Sequence, residues 1–471
     1  MLVDRHGRTV RDLRLSVTDR CNLRCTYCMP AEGLEWLPTP SLLTTQEIAR
    51  LARIGVERLG IERIRLTGGE PLMRKDLEEI VASVSTLRSA RTGTKPDIGI
   101  TTNGLGLDKR AARLRAAGLD RVNVSIDTLD PREYSLATRR DRLEDVLRGV
   151  AGAEAAGLAP IKVNAVAMPG TLDRRAARLL AECLRRGWQL RFIEHMPLGP
   201  RESWRPEQVV GQEEILQVLT QAGFTLRQAG RGDRRPAALW HVKAGRLDPR
   251  ALSSHEGAGA YPAGSVGIIS SVTAPFCHDC DRTRVTADGR LMTCLFSSTE
   301  TDLRTPMRQG ATDEDLIRLW AGATWAKPLA HGSDEPWAVP DGFTRPARTM
   351  SAIGGGGGPG PPPPPASPVD PPPSRGGPPP MSDPVHDPIS LEVHYFAAAT
   401  EAAGRAQERI EVPSGTTLAA LREQLAGRGL AMAKVIAVSS YLVNSLSTPA
   451  DSLTALADGD RIDVLPPFAG G

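Results

Sequence analysis

The chain has 471 residues, 40% hydrophobic and 24% charged, the make-up of a soluble globular protein of two or three domains rather than a disordered or membrane-embedded one. A formal net charge of only +3 gives no basis for a general nucleic-acid binder, although local basic groups could still receive a small polyanion. No run approaches the ~18 uncharged apolar residues of a membrane span, and residues 1–14 are too charged for a secretory signal, so a cytoplasmic protein with no membrane contact is expected. Six of the seven cysteines fall in two tight groups, which in a reducing compartment reads as metal ligation before disulfides. Cys183 stands apart in the apolar stretch 177–184 and is expected to be a plain buried thiol.

From residue 10 to 196, β-rich apolar runs alternate with amphipathic ones. Strands are expected at 13–17, 64–67, 98–102, 122–126, 161–167 and 190–194, and helices at 45–59, 76–87, 108–117, 143–156 and 174–186. The implied class is α/β. Near-continuous apolar strands predict a parallel sheet covered on both faces, and six repeats fall short of a closed eight-fold barrel. An incomplete (βα)6 barrel over residues 1–200 follows, with ligands at the C-terminal ends of its strands.

Directly after the first strand comes Cys21-x3-Cys25-x2-Cys28. Three thiolates can hold three irons of a [4Fe–4S] cubane, leaving the fourth free to chelate the amino and carboxylate groups of a small molecule. Tyr27, within the loop, can pack on an adenine. A structural zinc site would require a fourth ligand, and no Cys or His lies nearby. The spacing resembles the radical S-adenosylmethionine (SAM) superfamily, and so does Gly68-Gly69-Glu70-Pro71 after the second strand. The resemblance implies that this backbone and Glu70 hold the SAM amino group.

Residues 201–353 read as a mixed extension that caps the open side of the barrel. It carries Cys277-x2-Cys280 and, after thirteen intervening residues, Cys294. Again a fourth cysteine is missing. Either another residue completes a zinc or ordinary cluster site, with His278, His255 and His241 as candidates, or an open iron binds something else. Arg282 and Arg284 stand two apart, so in an extended strand both guanidiniums share one face and suit a polyphosphate. A solvated basic strand is the plainer alternative.

A specific family resemblance rests on Leu15 to Cys21, Arg65 to Pro71, Thr101-Thr102-Asn103-Gly104, Arg191-Phe192-Ile193-Glu194 and the second cysteine group, and spans residues 11–355. These segments resemble the GTP 3′,8-cyclases of molybdenum cofactor biosynthesis. The resemblance implies two [4Fe–4S] clusters, at Cys21, Cys25 and Cys28 and at Cys277, Cys280 and Cys294. It also implies SAM as cofactor, GTP as substrate and a flavodoxin- or ferredoxin-type electron donor. In that family a 5′-deoxyadenosyl radical removes the ribose 3′-hydrogen, the carbon radical attacks guanine C8, and the guanine sits at the second cluster. Carried over, Tyr27, Gly69, Ser125 and Met196 would contact SAM. Arg14, Arg65, Thr101, Lys162, Arg282 and Arg284 would contact GTP, and Arg191 an anionic group on either. A homodimer is among the assemblies the resemblance allows.

The family commonly ends in a Gly-Gly tail, matched here by residues 350–355, but the chain runs on into a Gly/Pro-rich linker, 354–388, that cannot bury enough apolar surface to fold. Beyond it, 389–471 reads as a small α+β module with strands at 391–396 and 461–465 and a helix at 418–425. Val393-His394-Tyr395-Phe396 and the ending Pro466-Pro467-Phe468-Ala469-Gly470-Gly471 resemble the ubiquitin-like (β-grasp) sulfur-carrier subunit of molybdopterin synthase. The stretch 438–444 departs from that pattern by being longer and more polar. The resemblance implies a thiocarboxylate on Gly471, with an adenylating sulfur-transfer enzyme and the large catalytic subunit of molybdopterin synthase as partners. Two other readings of the whole chain compete: a radical SAM maturase acting on a peptide, and a zinc-stabilised scaffold bearing a ubiquitin-like tag.

Overall fold

Six strands form the frame of the first unit: β1 (Asp12–Ser16), β2 (Arg63–Thr67), β3 (Asp97–Thr102), β4 (Arg121–Ser125), β5 (Lys162–Ala167) and β6 (Gln189–Glu194). Each pairs in parallel with the next in chain order. The computed structural model describes residues 1–170, 172–198, 204–229, 237–247, 259–297, 299–330, 348, 388–396, 398–444, 446–448 and 455–466. It divides into two units, Met1–Ser367 and Pro368–Gly471.

Helices connect the strands much as the periodicity predicts: Thr45–Arg53 continued by a π-turn at Ile54–Arg58, then Leu77–Ser85, Ala111–Ala116, Leu143–Ala155 and Leu172–Arg185. The first starts at a capping box in which Thr44 and Glu47 satisfy each other's backbone N–H. A further helix, Pro131–Thr138, escapes the periodicity because it buries only Tyr134 and Thr138. Its origin is local: Asp130 accepts from the Glu133 N–H, and Pro131 suits the first turn.

The strands differ from expectation in one respect that matters for function. Alternate residues such as Leu13, Leu15, Ile64, Leu66, Ile98, Ile100, Val122, Val124, Val163 and Leu190 are buried in the main core. Each contributes about 1.5–3 kcal/mol by burial. The intervening residues are polar, as in the half-buried alternation of β5 and β6, so the sheet is not apolar on both faces.

The extension adds β7 (Leu226–Gln228), β8 (Ala238–Val242), β9 (Gly245–Leu247), β10 (Gly259–Tyr261), β11 (Gly264–Ile269), β12 (Arg282–Val285), β13 (Arg290–Met292) and β14 (Thr301–Asp302). Expected as a cap, it also lengthens the sheet at both edges. β12 lies parallel to β1 and β11 parallel to β6, giving the order β14-β13-β12-β1-β2-β3-β4-β5-β6-β11-β8-β7. Cys183 is fully buried, as expected.

The second unit is a mixed sheet of β15 (Ile389–Tyr395), β16 (Gln407–Val412), β17 (Ser440–Val443), β18 (Leu446–Thr448) and β19 (Arg461–Leu465), ordered β16-β15-β19-β17-β18. The parallel pair β15 and β19 lies at its centre, and Leu418, Leu421 and Leu425 of helix Leu418–Ala426 pack on Leu391, Val393, Ile462 and Val464. This is a β-grasp arrangement. The polar stretch 438–444 supplies β17, which pairs antiparallel with β19. Gly471, the 350–355 Gly-Gly segment, all of the linker but Pro388, and His255 lie outside the described residues. Among those described, no helix is long and apolar enough to cross a membrane.

Candidate active site

The first cysteine loop leaves the C-terminal end of β1 and is shaped by its own backbone. The N–H groups of Cys28 and Met29 both donate to the Cys25 carbonyl at 3.0 Å, a tight turn that fixes Cys25 and Cys28 on one side. The end of helix Pro131–Thr138 braces the loop from outside. Arg24 and Thr26 donate to the Thr138 and Ala137 carbonyls, and the Arg139 guanidinium donates to the carbonyls of Arg24 and Met29. All three cysteines are free thiols and partly exposed. Burial, foremost, pushes the Cys21 thiol up to about 11 and raises Cys25 and Cys28 as well. Ligation must therefore displace protons. Among the described residues, no three Cys, His, Asp or Glu side chains gather as they would around a single ion.

Gly68 and Gly69 bring the end of β2 against the start of this loop. A Cβ at Gly69 would run into the carbonyls of Asp19 and Arg20, while Gly69 N–H donates to Thr18 O at 2.9 Å and Glu70 N–H to Arg20 O at 2.7 Å. Glu70, expected at the SAM amino group, lies at the end of the second strand beside the start of the first cysteine loop. Its carboxylate is buried and accepts from Leu72 N–H at 3.0 Å, the Thr102 hydroxyl at 2.7 Å and Asn103 N–H at 2.6 Å. Burial, partly offset by these donors, raises its pKa to about 7. Asn103 in turn reaches Asn22 Oδ1 at 2.7 Å and lies 4.0 Å from Cys21 Sγ. Glu70 thus acts on the cluster loop through Asn103. Glu70→Ala strands three buried donors and is expected to cost about 3 kcal/mol of stability in urea unfolding, together with iron retention at the first loop.

On the other side of the loop the Tyr27 hydroxyl donates to Asp127 at 2.8 Å, and its ring meets His195 edge-on at 6.3 Å. Asp127 also accepts from Val166 N–H, tying the loop to the ends of β4 and β5. Met196 packs with Leu198, Met292, Phe296 and Cys294, so the residue expected at SAM is also part of the wall of the second cysteine group.

Strand register brings the expected basic residues together. Arg284, Arg14, Arg65, Gly99 and Arg121 lie in one cross-strand row. Thr101, Asn123 and Lys162 form the next, and Ser125, Asn164 and Arg191 a third. Side chains alternate along a strand, so Arg14, Arg65, Thr101, Ser125, Lys162, Arg191, Arg282 and Arg284 all belong to the polar face. Gly99 makes room: a Cβ there would collide with the Arg65 guanidinium. Burial first, then Arg14 and Arg121, lowers the Arg65 pKa to about 9; burial, then Arg14 and Arg282, does the same to Arg284. Guanidiniums remain protonated at neutral pH, so these shifts record burial and mutual repulsion that the one nearby carboxylate acting on Arg65, Asp12, only partly offsets. Nε and Nη1 of Arg65 have no partner in the described structure. Asp12 is the acid among them; burial works against its ionisation, but Arg14, Arg282, Arg65 and Arg63 outweigh it and hold its pKa below the carboxylate range. A face of this kind calls for a polyanion. Arg121, Asn123, Asn164 and Asp12 escape a motif-based reading, although their even spacing with Arg14 and Lys162 would have marked them.

The second cysteine group stands beside this face. Cys277 and Cys280 bracket a short 3-10 turn closed by Cys280 N–H to Cys277 O at 3.1 Å, and β12 follows at once, carrying Arg282 over the Phe276 ring at 4.8 Å. Burial would raise the Cys280 thiol, but Lys327 and Arg282 bring it below its ordinary value, whereas burial dominates at Cys294. His278 points outward, 76% exposed and paired with Asp279, and His241 is exposed on β8 at the far edge of the sheet. Neither supplies a fourth ligand.

Residues 15–183 match the radical SAM superfamily, 188–333 the family described as Molybdenum Cofactor Synthesis C, and 393–471 the ThiS family. Streptococcus suis SuiB bound to S-adenosylmethionine resembles the chain with a TM-score of 0.46 and 12% identity, over 67% of this chain and 68% of that one. Barrel, cysteine loop and matched segments together define a radical SAM enzyme, a class that works with SAM and an iron–sulfur cluster. Over 357 residues the chain is 55% identical to the GTP 3′,8-cyclase of Corynebacterium glutamicum, covering 75% of this chain and 89% of that protein. It is 53% identical over 356 residues to the Mycobacterium marinum enzyme, covering 75% and 92%. The chain belongs to the GTP 3′,8-cyclase family of molybdenum cofactor biosynthesis, here fused to a ThiS-type ubiquitin-like module.

Proposed function

We propose that the first unit binds GTP on the polar face and cyclises it between ribose C3′ and guanine C8, to (8S)-3′,8-cyclo-7,8-dihydroguanosine 5′-triphosphate. The observation that carries this is the row Arg284, Arg14, Arg65 with Lys162 and Arg191 close by, one buried and four half-buried cations whose crowding a triphosphate would relieve, beside both cysteine groups. Cys21, Cys25 and Cys28 would hold an iron–sulfur cluster, which when bound would supply the electron for SAM cleavage. Tyr27, Gly69, Ser125 and Met196 orient SAM; Arg14, Arg65, Thr101, Lys162, Arg282 and Arg284 grip GTP; Arg191 serves an anionic group on either. Cys277, Cys280 and Cys294 would hold a second [4Fe–4S] cluster, against which the guanine would be placed. After anaerobic loading with iron and sulfide, 5′-deoxyadenosine release is expected to depend on GTP. Release indifferent to GTP would overturn the reading.

The second unit carries sulfur as a thiocarboxylate on Gly471, charged by an adenylating sulfur-transfer enzyme and delivered to the large catalytic subunit of molybdopterin synthase. Supporting this are the β-grasp sheet with β15 and β19 at its centre and the Gly-Gly terminus. A flavodoxin- or ferredoxin-type donor in the cytoplasm supplies the electrons for the first unit. Incubation with an adenylating sulfurtransferase is expected to shift the intact mass by one oxygen-to-sulfur exchange. Deleting Gly471 should abolish the shift; persistence would remove the assignment.

A further inference from the structure

Lys327 follows helix Asp313–Trp325 and is only 2% exposed. Its ammonium donates to the Cys280 carbonyl at 2.8 Å and the Arg282 carbonyl at 2.9 Å, and it reaches Cys280 Sγ at 3.4 Å. All three acceptors are carbonyl or sulfur. A buried ammonium without a counter-charge is costly, and the one acceptor here able to carry negative charge is the Cys280 sulfur.

The lysine is itself held in place. Its N–H bonds to Thr324 O, and the next two carbonyls, of Pro328 and Leu329, accept from Arg8 at 2.7 and 2.8 Å. Arg8 also donates to the Cys277 carbonyl at 2.7 Å and is paired with buried Asp4 at 2.6 Å. Two buried cations, from opposite ends of the first unit's described core, therefore grip the Cys277–Cys280 turn.

We propose that Lys327 is a positioning residue for the second cluster: its N–H···S bond and positive charge fix Cys280 as a ligand, favour the reduced cluster, and set Arg282 beside it. This rests on the second-cluster reading given above. Hydrogen bonds to cluster sulfurs and local net charge are among the levers that set cluster potential, so the test is electrochemical.

The parent is the full-length chain with Cys21, Cys25 and Cys28 changed to Ser, reconstituted anaerobically so that only the second group can hold iron. An EPR-monitored redox titration is then run on the parent, Lys327→Met, Lys327→Gln and Lys327→Arg. The expected result is iron content near the parent's, a midpoint shifted to lower potential in Met and Gln, and return toward the parent in Arg. Where melting curves show that Lys327→Met does not fold, Lys327→Gln carries the test, since it keeps a donor without the charge. A loaded parent whose midpoint is unchanged by loss of the charge overturns the proposal alone. A parent that binds no iron overturns the second-cluster reading and this proposal with it.

Discussion

Cys277→Ala is expected to lower GTP-dependent release of 5′-deoxyadenosine by roughly 100-fold or more while iron at Cys21, Cys25 and Cys28 is retained. Cys277 and Cys280 share one turn, and Cys294 comes from the far end of the β12–β13 hairpin. Removing one thiolate leaves two, too few to hold a cubane with one open corner. The first loop stands on β1 and is braced by Arg139 and Asn103, so its iron content provides the control. GTP-dependent release at the wild-type level in Cys277→Ala would show that the second group has no part in placing the substrate.

Arg65→Met is expected to act in two opposite directions. Arg65 is 7% exposed, lies between Arg14 and Gly99 in the sheet, and has two guanidinium nitrogens without a partner in the described structure. Loss of a buried contact to a triphosphate is expected to weaken GTP binding by about 3 kcal/mol, roughly 100-fold in Kd. Without GTP the same change removes a desolvated charge crowded by Arg14 and Arg121, so the ligand-free protein should become more stable by about 1 kcal/mol or more. Calorimetric titration with GTP and denaturant unfolding of the ligand-free chain read the two effects separately. A variant that loses stability and keeps its affinity would place Arg65 in the framework instead of the site.

The motifs and most of the frame were legible because their signals are local. Cys21-x3-Cys25-x2-Cys28 and Gly68-Gly69-Glu70 declare themselves by spacing, and Leu13, Leu15 and Val17 mark β1 by alternation alone. What lay beyond the sequence depends on register. Nothing in the chain announces that residue 12 pairs with residue 282, so alternation could set Asp12 beside Arg14 but not beside Arg282. The strands β11 and β12, which join the extension to β6 and β1, pair with partners distant in sequence, and the extension accordingly read as a cap. The protein partners of Glu70 were likewise invisible, since two of the three donors around it, from Thr102 and Asn103, lie in a segment that meets it only in the fold. Lys327 reads in sequence as an ordinary cation after a helix, and its meaning depends on Cys280 standing opposite.

The pairing of β1 with β12 also bears on how the chain matures. The strand that launches the radical-generating loop leaves the ribosome early, but its outer neighbour arrives some 270 residues later. At synthesis rates of about 5–20 residues per second, that gap lasts roughly 14–54 s. During it the edge of β1 has no β12 to pair with, and the cysteines beside it are not yet flanked by the second group. Contacts this distant along the chain also form slowly for entropic reasons. The first cysteine loop is therefore made well before β12 brings Arg282 and Arg284 to the polar face, and the row that includes Arg14 and Arg65 is completed last on that side.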